Sequence, residues 1–385
     1  MTKVTILQET LTNYRVDFFE KLSAAKGIEL TLVYSPLSQK LKAQSFKEFE
    51  PAGKFKSRLM PISTEQTFRY WARMMIYFWR QSPDVVVTGL WMRSLYLLVI
   101  LKHLFGFKLV FWYGGFPYRD EEKVGKVASE LMKRKYFFRP FRVFLDSCDA
   151  FVLYSRQAKE SMAKYMNIDS RKMFVAPNSP NTDLYFQEKL ALNSQHEDIR
   201  RLTKIFSPNG ERVLLTLGRL DQTRRIDLML EAFSVVQRQY SQVSLVIIGD
   251  GNERPRMEEL SAAMGLKNVF FVGEIYDDRE IAKYMYLSYS YSGIASMAVK
   301  IAMAMGVPVV GFDYGLEVHD IEDGNNGYVV EFGNVNRLAE KILVLLQHTE
   351  LRDYFGSEAY LKMKTSINID KMVEGFGQAI LHCAL

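Results

Sequence analysis

The sequence predicts an α/β protein built from two domains, each with a doubly wound parallel sheet. Short apolar runs rich in β-branched residues alternate with amphipathic helical segments, a pattern typical of βαβ units. At 385 residues, the chain is long enough for two domains with a core each. A polar stretch at 193–210 is the best candidate for the linker between them. We therefore expect domains at 1–190 and 191–369 that face each other across a cleft, and a C-terminal helix at 370–385 that packs back on the first domain.

The first half shows the pattern of six strands and five helices. The strands are predicted at 4–8, 29–34, 84–88, 108–112, 150–154 and 173–175. The helices are predicted at 14–26, 65–80, 95–107, 125–134 and 156–166. Because the strand segments are short and mostly apolar, they fit a parallel sheet that is buried on both faces.

Glycine-containing turns follow the strands of the second half. These strands are predicted at 213–217, 243–248, 268–272 and 307–312. Gly218 follows the first strand, Gly249 and Gly251 follow the second, and Gly273 follows the third. Ligands of parallel sheets bind beyond the carboxyl ends of the strands, where glycine lets the backbone approach closely. We therefore expect the binding site of the second domain at these turns.

Two of the turns are suited to an anionic ligand. Arg219 and Arg224 lie in the first, and guanidinium groups form paired hydrogen bonds that suit a diphosphate better than lysine does. Alternatively, both arginines are solvated loop residues. The second turn, 292–297, precedes a helical segment at 297–305, so its free amides would face a phosphate or sugar with the positive end of the helix dipole behind them.

Composition excludes several classes of protein. Two cysteines argue against a disulfide scaffold and fit a reducing compartment. The five histidines are scattered and no carboxylate–histidine cluster has ligand spacing, so we expect no metal and no other cofactor. No apolar stretch is long enough to span a bilayer, and a strand pattern starts at the N-terminus, so we expect no signal peptide. Nucleic-acid binding is not expected, because no known module is present.

The excess of positive charge is confined to the first half. Residues 1–185 contain 29 Lys and Arg against 17 Asp and Glu, whereas the remainder contains 21 against 27. Two stretches, 68–80 and 133–142, combine basic with aromatic residues. They are either domain core with a solvated rim or a surface for anionic lipids, to which each basic residue contributes on the order of 1 kcal/mol. The second interpretation predicts a cytoplasmic protein attached peripherally to the inner face of the plasma membrane.

Residues 213–331 resemble the nucleotide-binding half of the family 4 glycosyltransferases, which have the GT-B fold. The resemblance rests on the order and spacing of several short motifs. They are Gly218-Arg219-Leu220 with Arg224, Asp227-Leu228-Met229-Leu230-Glu231-Ala232-Phe233, Ile247-Ile248-Gly249-Asp250-Gly251, Val269-Phe270-Phe271-Val272-Gly273, Ala302-Met303-Ala304-Met305-Gly306-Val307-Pro308 and Ile321-Glu322-Asp323-Gly324. The first half matches more loosely, and its segment 11–19 resembles the opening of members that build bacterial surface polysaccharides.

This resemblance implies a hexosyl-type glycosyltransferase. It would move a sugar from a nucleoside diphosphate donor, expected to be UDP-linked, to a lipid-linked or polysaccharide acceptor, with retention of configuration. No metal would be needed, because Arg219 and Arg224 match the family's basic pair and would stabilise the leaving diphosphate. The implied donor site comprises Gly218, Arg219, Arg224, Gly273, Tyr276, Ser292, Gly293, Ser296 and Met297. The residues expected near the acceptor, a lipid-diphosphate-linked glycan, or in the cleft are Tyr14, Arg15, Gly114, Gly115, Arg119 and Asn178.

The sequence departs from the family at two positions where many relatives carry glutamate. Gly293 and Ile301 stand there, and neither side chain can accept a hydrogen bond. One explanation is a variant site in which a glycine- and serine-rich turn replaces the glutamate. Ser292, Gly293 and Ser296 resemble such a turn. The alternative is a non-catalytic nucleotide-sugar-binding or scaffolding protein on the same fold.

Overall fold

The structure is a computed structural model that describes residues 1–35, 55–60, 67–89, 95–133, 135–136 and 139–384. The chain forms two compact units. The first comprises Met1–Phe116, Asp120–Asn178 and Ile369–Leu385, and the second comprises Pro117–Arg119 and Ser179–Asn368. The units therefore divide ahead of the position expected from the sequence, because the helix that precedes that position packs against helices of the second unit.

The first unit is built around a parallel sheet, with seven strands in the described ranges. Its order is β3-β2-β1-β4-β5-β8-β9, and a separate antiparallel pair, β6-β7, lies apart from it. The strands are β1 (Thr2–Gln8), β2 (Ile28–Tyr34), β3 (Lys56–Leu59), β4 (Val85–Thr88), β5 (Lys108–Tyr113), β6 (Lys135–Tyr136), β7 (Arg139–Pro140), β8 (Ala150–Leu153) and β9 (Met173–Val175). All six predicted strands occur. The sequence does not predict β3, because this edge strand is exposed and lacks an apolar pattern.

Among the described residues, six helices of the first unit lie ahead of Ser179 in the chain. They are α1 (Asn13–Ser23), α2 (Thr67–Gln81), α3 (Leu95–Phe105), α4 (Glu121–Lys133), α5 (Phe141–Ser147) and α6 (Arg156–Met166). The five predicted helices are among them. Helix α4 begins earlier than predicted, with Glu121 and Glu122 in its first turn, where negative charge interacts favourably with the helix dipole.

The C-terminal helix, Ile369–Ala384, also packs in the first unit. The rings of Phe376 and Phe18 lie with their centroids 4.8 Å apart. A Cβ atom at Gly375 would lie only 2.3 Å from the carbonyl oxygen of Val175, so the helix approaches the sheet more closely than a larger residue would allow. This helix therefore completes the core of the first sheet.

The second unit contains a six-stranded parallel sheet of order β12-β11-β10-β13-β14-β15 in the described residues. Its strands are β10 (Arg212–Leu217), β11 (Val243–Ile248), β12 (Val269–Gly273), β13 (Ser290–Ile294), β14 (Val309–Phe312) and β15 (Gly327–Val330). The four predicted strands occur. The sequence does not predict β13, because its serines and glycine resemble a turn; the structure pairs it with both β10 and β14 inside the sheet.

Eight helices surround this sheet in the described part of the chain. They are α7 (Thr182–Ala191), α8 (Glu197–Phe206), α9 (Ile226–Gln239), α10 (Arg254–Ala263), α11 (Asp278–Leu287), α12 (Met297–Ala304), α13 (Val335–Gln347) and α14 (Thr349–Thr365), so the C-terminal helix is α15. The prediction of a linker at 193–210 is wrong. Helix α8 lies there, and Ile199, Leu202 and Phe206 on one of its faces are buried in the core of the second unit.

Among the described strands, the order of each sheet reverses at one place. It lies between β1 and β4 in the first unit and between β10 and β13 in the second. Connections that leave the two neighbouring strands at such a point run to opposite faces, which opens a crevice at the carboxyl ends of the strands. The segment that contains Arg15 follows β1, and the segment that contains Arg224 follows β10.

Candidate functional site

The turns that follow β10 and β11 pack directly on each other. A Cβ atom at Gly249 would lie 1.9 Å from the carbonyl oxygen of Gly218, and one at Gly251 would lie 2.4 Å from that of Leu220. The amide of Leu220 also donates a 2.9 Å hydrogen bond to the carbonyl oxygen of Asp250. Glycine is therefore required at 249 and 251 for the contact between the turns, and this contact fixes the position of the arginine-containing turn.

Arg219 and Arg224 lie in this turn in different environments. The guanidinium of Arg219 forms a 2.8 Å ion pair with Asp221. Arg224 ends a short 3-10 turn and is half-buried, and its Nε lies 3.8 Å from where a Cβ of Gly218 would be. That Nε is buried and has no hydrogen-bond partner in the described residues. Arg224 therefore keeps a donor available at the reversal point of the sheet.

Arg225, the next residue, is neutralised locally. Its Nε and Nη2 donate hydrogen bonds of 3.0 Å to the carboxylate of Asp227. These hydrogen bonds raise the pKa of Arg225. The two consecutive arginines thus differ: the charge of Arg225 is compensated by a carboxylate, whereas Arg224 has no ion pair among the described residues.

Tyr291, which the sequence does not predict as a site residue, connects several predicted ones. Its hydroxyl donates a 3.4 Å hydrogen bond to the carbonyl oxygen of Leu217. Burial raises the pKa of Tyr291, and the hydroxyl of Ser296, the charge of Arg224 and the hydroxyl of Thr216 oppose that shift. Ser296 is the N-cap residue of α12, yet its side chain makes no cap hydrogen bond. A buried tyrosine therefore brings the turn after β10 and the start of α12 together.

The prediction of a turn at Ser292 and Gly293 is wrong, because both residues lie in β13. Gly293 is paired with Gly311 in the sheet, and a Cβ at Gly293 would lie 3.1 Å from Oγ1 of Thr216. Side chains alternate along a strand, so Ser292 lies on the face opposite Tyr291. Its side chain is fully buried, and its Oγ has no partner in the described residues. Ser296 and Met297, at the start of α12, are half-buried.

Gly273 is the last residue of β12, and Tyr276 lies in the turn that follows it. Arg254 lies beside Gly273 and forms ion pairs with Asp250, at 3.0 Å, and with Glu258, at 2.7 Å. Burial raises the pKa of Tyr276, and a hydrogen bond with the neighbouring Glu274 adds to the shift. Asp250 thus has a structural role, because it pairs with Arg254 and accepts a hydrogen bond from the following amide.

A second feature that the sequence does not predict is a buried ion pair next to α12. Lys300 lies in that helix with 1% of its surface exposed, and its Nζ is 3.1 Å from Oδ2 of Asp320. A lysine within the otherwise apolar stretch Met297–Ala304 is the signal that could have indicated such a pair. Ile301, the next residue, is 7% exposed and lies in the core of the second unit.

In the first unit, Arg15 is surrounded by aromatic side chains. Its Nη2 donates a 2.9 Å hydrogen bond to the hydroxyl of Tyr154, and its Nε donates one of 3.3 Å to the hydroxyl of Tyr14. Its Cζ lies 4.2 Å from the ring centroid of Trp112. Tyr14 and Arg15, both predicted near the acceptor, therefore lie together at the carboxyl edge of the first sheet.

The remaining residues predicted near the acceptor are dispersed. Gly114 and Gly115 follow β5, and a Cβ at Gly115 would lie 2.6 Å from that of Ala158, so this glycine is needed for packing. Asn178 is buried at the end of the first unit. Arg119, which we expected in the first domain, belongs to the second unit, because its amide donates a 3.2 Å hydrogen bond to Asp313.

In the 68–80 stretch, the described apolar side chains divide between the core and the surface. Phe78 is buried in the core of the first unit, whereas Met75, Ile76 and Trp79 are exposed. The side chains of residues 68 and 71 lie outside the described residues, as does much of the 133–142 stretch. Exposed Ile100 and Leu104 lie on the neighbouring helix α3.

Two features are absent from the residues that the structure describes. No group of three His, Cys, Asp or Glu side chains could hold a metal ion in this part of the chain. No helix within it combines the length and the apolar composition needed to cross a bilayer.

Two family models match the chain. The model described as "Glycosyl transferases group 1" matches residues 198–362, and that described as "Glycosyltransferase Family 4" matches residues 16–184. Together they match most of both units.

Curated relatives are similar over parts of their length. A poly(ribitol-phosphate) alpha-N-acetylglucosaminyltransferase of Staphylococcus aureus is 31% identical over 153 residues, which are 39% of this chain and 31% of the relative. A phosphatidyl-myo-inositol mannosyltransferase of Mycobacterium leprae is 29% identical over 171 residues, which are 42% of this chain and 45% of the relative. The matched region thus spans less than half the length of these two relatives.

Solved structures match over nearly the whole chain. HepE from Anabaena in complex with UDP is 14% identical, with a TM-score of 0.74 over 99% of this chain and 100% of that one. A glycosyltransferase from Rickettsia africae is 16% identical, with a TM-score of 0.76 over 100% of this chain and 98% of that one. At this identity the likeness concerns the fold, and it confirms the predicted GT-B class with two Rossmann-like domains.

Proposed function

Because this chain belongs to glycosyltransferase family 4, we propose that it transfers a hexose from a nucleoside diphosphate donor to a lipid-linked or polysaccharide acceptor. The proposed donor is a uridine one. Two findings support a uridine donor. HepE was solved with bound UDP, and another relative is named as a UDP-N-acetylglucosamine–peptide N-acetylglucosaminyltransferase subunit. The proposed acceptor class is supported by the relatives named for poly(ribitol-phosphate) and phosphatidyl-myo-inositol, both of which contain phosphate.

One observation carries the proposed donor site: the unpaired Nε of Arg224 at the reversal point of the second sheet. A guanidinium with an open donor can bind a diphosphate oxygen without first breaking an ion pair. Arg219 contributes a second guanidinium, which would have to share its charge between Asp221 and the ligand. Tyr291 and Ser296 hold the start of α12 beside these arginines, and the free amides of α12 would bind the same diphosphate.

These groups would also act in the reaction. Negative charge develops on the leaving nucleoside diphosphate as the bond to the sugar breaks, and preorganised donors stabilise that charge most in the transition state. Two guanidinium groups and helix amides can supply this stabilisation, which supports a metal-independent transfer. A retaining transfer also fits, because the leaving diphosphate can accept the proton of the acceptor hydroxyl and no side-chain base is then required.

The exposed face of α2 supports attachment to an anionic membrane surface. Met75, Ile76 and Trp79 are exposed, Trp79 by 70%, and Arg73 and Arg80 lie exposed beside them. Apolar side chains that enter the headgroup region and arginines that meet anionic lipids act together in such attachment. The protein should co-sediment with vesicles of an anionic lipid, whereas the double variant Ile76→Ser, Trp79→Ser should remain in the supernatant. Equal co-sedimentation of the two proteins would contradict the attachment.

The test of the function is transfer of radiolabelled sugar from UDP-glucose or UDP-N-acetylglucosamine to membrane lipid extracts. Arg224→Gln should reduce transfer and UDP affinity by about tenfold to a hundredfold, because a charge-assisted hydrogen bond is lost. Arg225→Gln is the matched control, since its charge is held by Asp227 and its loss should leave both quantities nearly unchanged.

A second candidate function is a non-catalytic nucleotide-sugar-binding protein on the same fold. It is favoured by Gly293 and the buried Ile301, which stand where many relatives carry glutamate. This candidate would be supported if the wild type binds UDP but neither transfers sugar from, nor hydrolyses, any nucleotide sugar. Absence of binding to any nucleoside diphosphate would contradict both.

A further inference from the structure

Arg15 is half-buried, and its guanidinium has no compensating charge in the described part of the chain. Its polar partners are the hydroxyls of Tyr14 and Tyr154, which are neutral, and no carboxylate of the residues that the structure describes lies within ion-pair distance. Its Nη1 is buried and has no hydrogen-bond partner in the described residues. A buried charge without a partner of opposite sign costs several kcal/mol, so such arrangements occur where a ligand supplies the missing charge.

Two further polar groups beside Arg15 also have no partner among the described residues. They are Oγ1 of Thr12 and Nε1 of Trp112. The side chain of Trp112 is 4% exposed, and its ring lies 4.2 Å from the Cζ of Arg15. Thr12 is bonded to Arg15 through the backbone, where the amide of Arg15 donates a 3.1 Å hydrogen bond to the carbonyl oxygen of Thr12. Buried polar groups are nearly always satisfied, so three such groups at one place indicate an absent partner.

The same place is the N-terminus of α1. Thr12 is the N-cap residue, its side chain makes no cap hydrogen bond, and the first turn contains no acidic residue. The positive end of the helix dipole therefore adds to the charge of Arg15 instead of being compensated by a carboxylate. This end of α1 lies at the carboxyl edge of β1, where the order of the first sheet reverses.

We propose that Thr12, Arg15, Trp112 and the first amides of α1 form a pocket for an oxyanion, and that the pocket binds a phosphate group of the acceptor. The inference rests on the proposed function for the identity of that ligand. A tetrahedral phosphate offers acceptor oxygens in several directions and can satisfy a guanidinium, an indole N–H, a hydroxyl and helix amides together. A phosphate held here would orient the acceptor by its charged end, whatever glycan it carries.

The pocket is tested on the full chain with UDP present at saturation, because UDP then occupies the donor diphosphate site. Inorganic pyrophosphate, farnesyl diphosphate and farnesol are titrated separately, and binding is measured by calorimetry. We expect both diphosphates to bind and farnesol not to bind. Tighter binding of farnesyl diphosphate would assign the pocket to a lipid-linked acceptor, whereas equal affinity would support the pocket and assign it to the free anion.

Three variants examine the residues. Arg15→Gln and Trp112→Phe should each weaken pyrophosphate binding by about tenfold, because each removes a hydrogen bond to a charged group. Thr12→Val should weaken it less. Arg171→Gln is the matched control, because Arg171 is an exposed arginine in the turn that precedes β9, at the opposite edge of the same sheet. It should bind pyrophosphate like the wild type.

The thermal midpoint of each variant is measured as well, and Trp112→Phe keeps the aromatic ring if Arg15→Gln proves unstable. Absence of pyrophosphate binding to the UDP-saturated wild type would overturn the inference, as would wild-type affinity in folded Trp112→Phe and Thr12→Val. UDP binding, measured first in every protein, tests the donor site independently. A protein that binds UDP but no pyrophosphate thus contradicts the pocket alone.

Discussion

Lys300 and Asp320 form an ion pair inside the second unit, with Nζ and Oδ2 3.1 Å apart and both side chains almost completely shielded from solvent. Lys300 lies in the N-terminal half of α12, where the helix dipole disfavours a positive charge. The carboxylate of Asp320 therefore compensates both the burial of the ammonium group and the helix dipole. The pair links α12 to the 3-10 turn Leu316–Asp320, which follows β14. It thereby holds the loop after one strand against the helix that follows the neighbouring strand.

Removal of one member of this pair should destabilise the protein strongly. Lys300→Met leaves the carboxylate of Asp320 buried without a counter-charge, which should lower the free energy of unfolding by about 3–5 kcal/mol. The double variant Lys300→Met, Asp320→Leu should recover most of that loss, because apolar residues of similar volume fill the same space. Urea denaturation measures both. A single variant as stable as the wild type would contradict the buried pair.

The hydroxyl of Tyr291 should matter for donor binding more than for folding. Tyr291→Phe keeps the ring and removes the hydrogen bond to Leu217, which should lower the stability by about 1 kcal/mol. UDP affinity should fall as well, because Ser296 and Arg224 lose a neighbour that positions them. Tyr289→Phe is the control, since that hydroxyl bonds Thr349 at the amino end of β13. Equal UDP affinities in the two variants would refute the positioning role.

Two glycines of α15 provide a matched pair for the contact of that helix with the first sheet. Gly375→Ala introduces a Cβ 2.3 Å from the carbonyl oxygen of Val175, so the helix must move away, at a cost of about 1–3 kcal/mol. Gly377→Ala meets no atom within 4 Å and should stabilise the helix by roughly 0.5–1 kcal/mol. Thermal unfolding should therefore shift in opposite directions. A shift in the same direction for both would argue against this packing.

The thiol of Cys383, also in α15, should make stability depend on alkaline pH. Burial raises the pKa of Cys383 from 9.0 to about 11, so the unfolded chain loses this proton first. The unfolded state then binds fewer protons between those two values, and stability falls as the pH rises through that window. The loss should reach about 2 kcal/mol near the upper value. The free energies of unfolding of the wild type and of Cys383→Ala are compared at about pH 8 and about pH 11. If both proteins lose the same stability between these pH values, the thiol does not cause the loss.

Much of the fold follows from local patterns. Val85, Val86 and Val87 are apolar and β-branched, and a run of this kind forms a strand buried on both faces of a parallel sheet. The glycines at 218, 249 and 251 indicate the turns at the strand ends, and these turns indicate where Arg219 and Arg224 lie. Such features depend on residues that are neighbours in the chain, so the sequence alone is sufficient to locate them.

Other features depend on residues that are distant in the chain. The sequence of β13 is typical of a polar turn. It forms a strand because β10 and β14 supply hydrogen-bond partners on both sides. The linker expected at 193–210 is instead the packed helix α8. Its apolar face stabilises the helix only when it is buried in the core of the second unit. Local propensity cannot encode either outcome, because the deciding contacts come from segments far away in the sequence.

The sequence by itself determined the class of fold and the turns in which the arginines lie, because periodicity and glycine placement are local properties. Its ordered motifs also carried the resemblance to the family. The tertiary structure decided which polar groups are satisfied. It paired Arg225 with Asp227 and left the Nε of Arg224 open, and it surrounded Arg15 with aromatic rings and neutral hydroxyls. Whether a charge is compensated depends on the three-dimensional neighbours of each side chain, and these neighbours are fixed only when the sheets and helices pack.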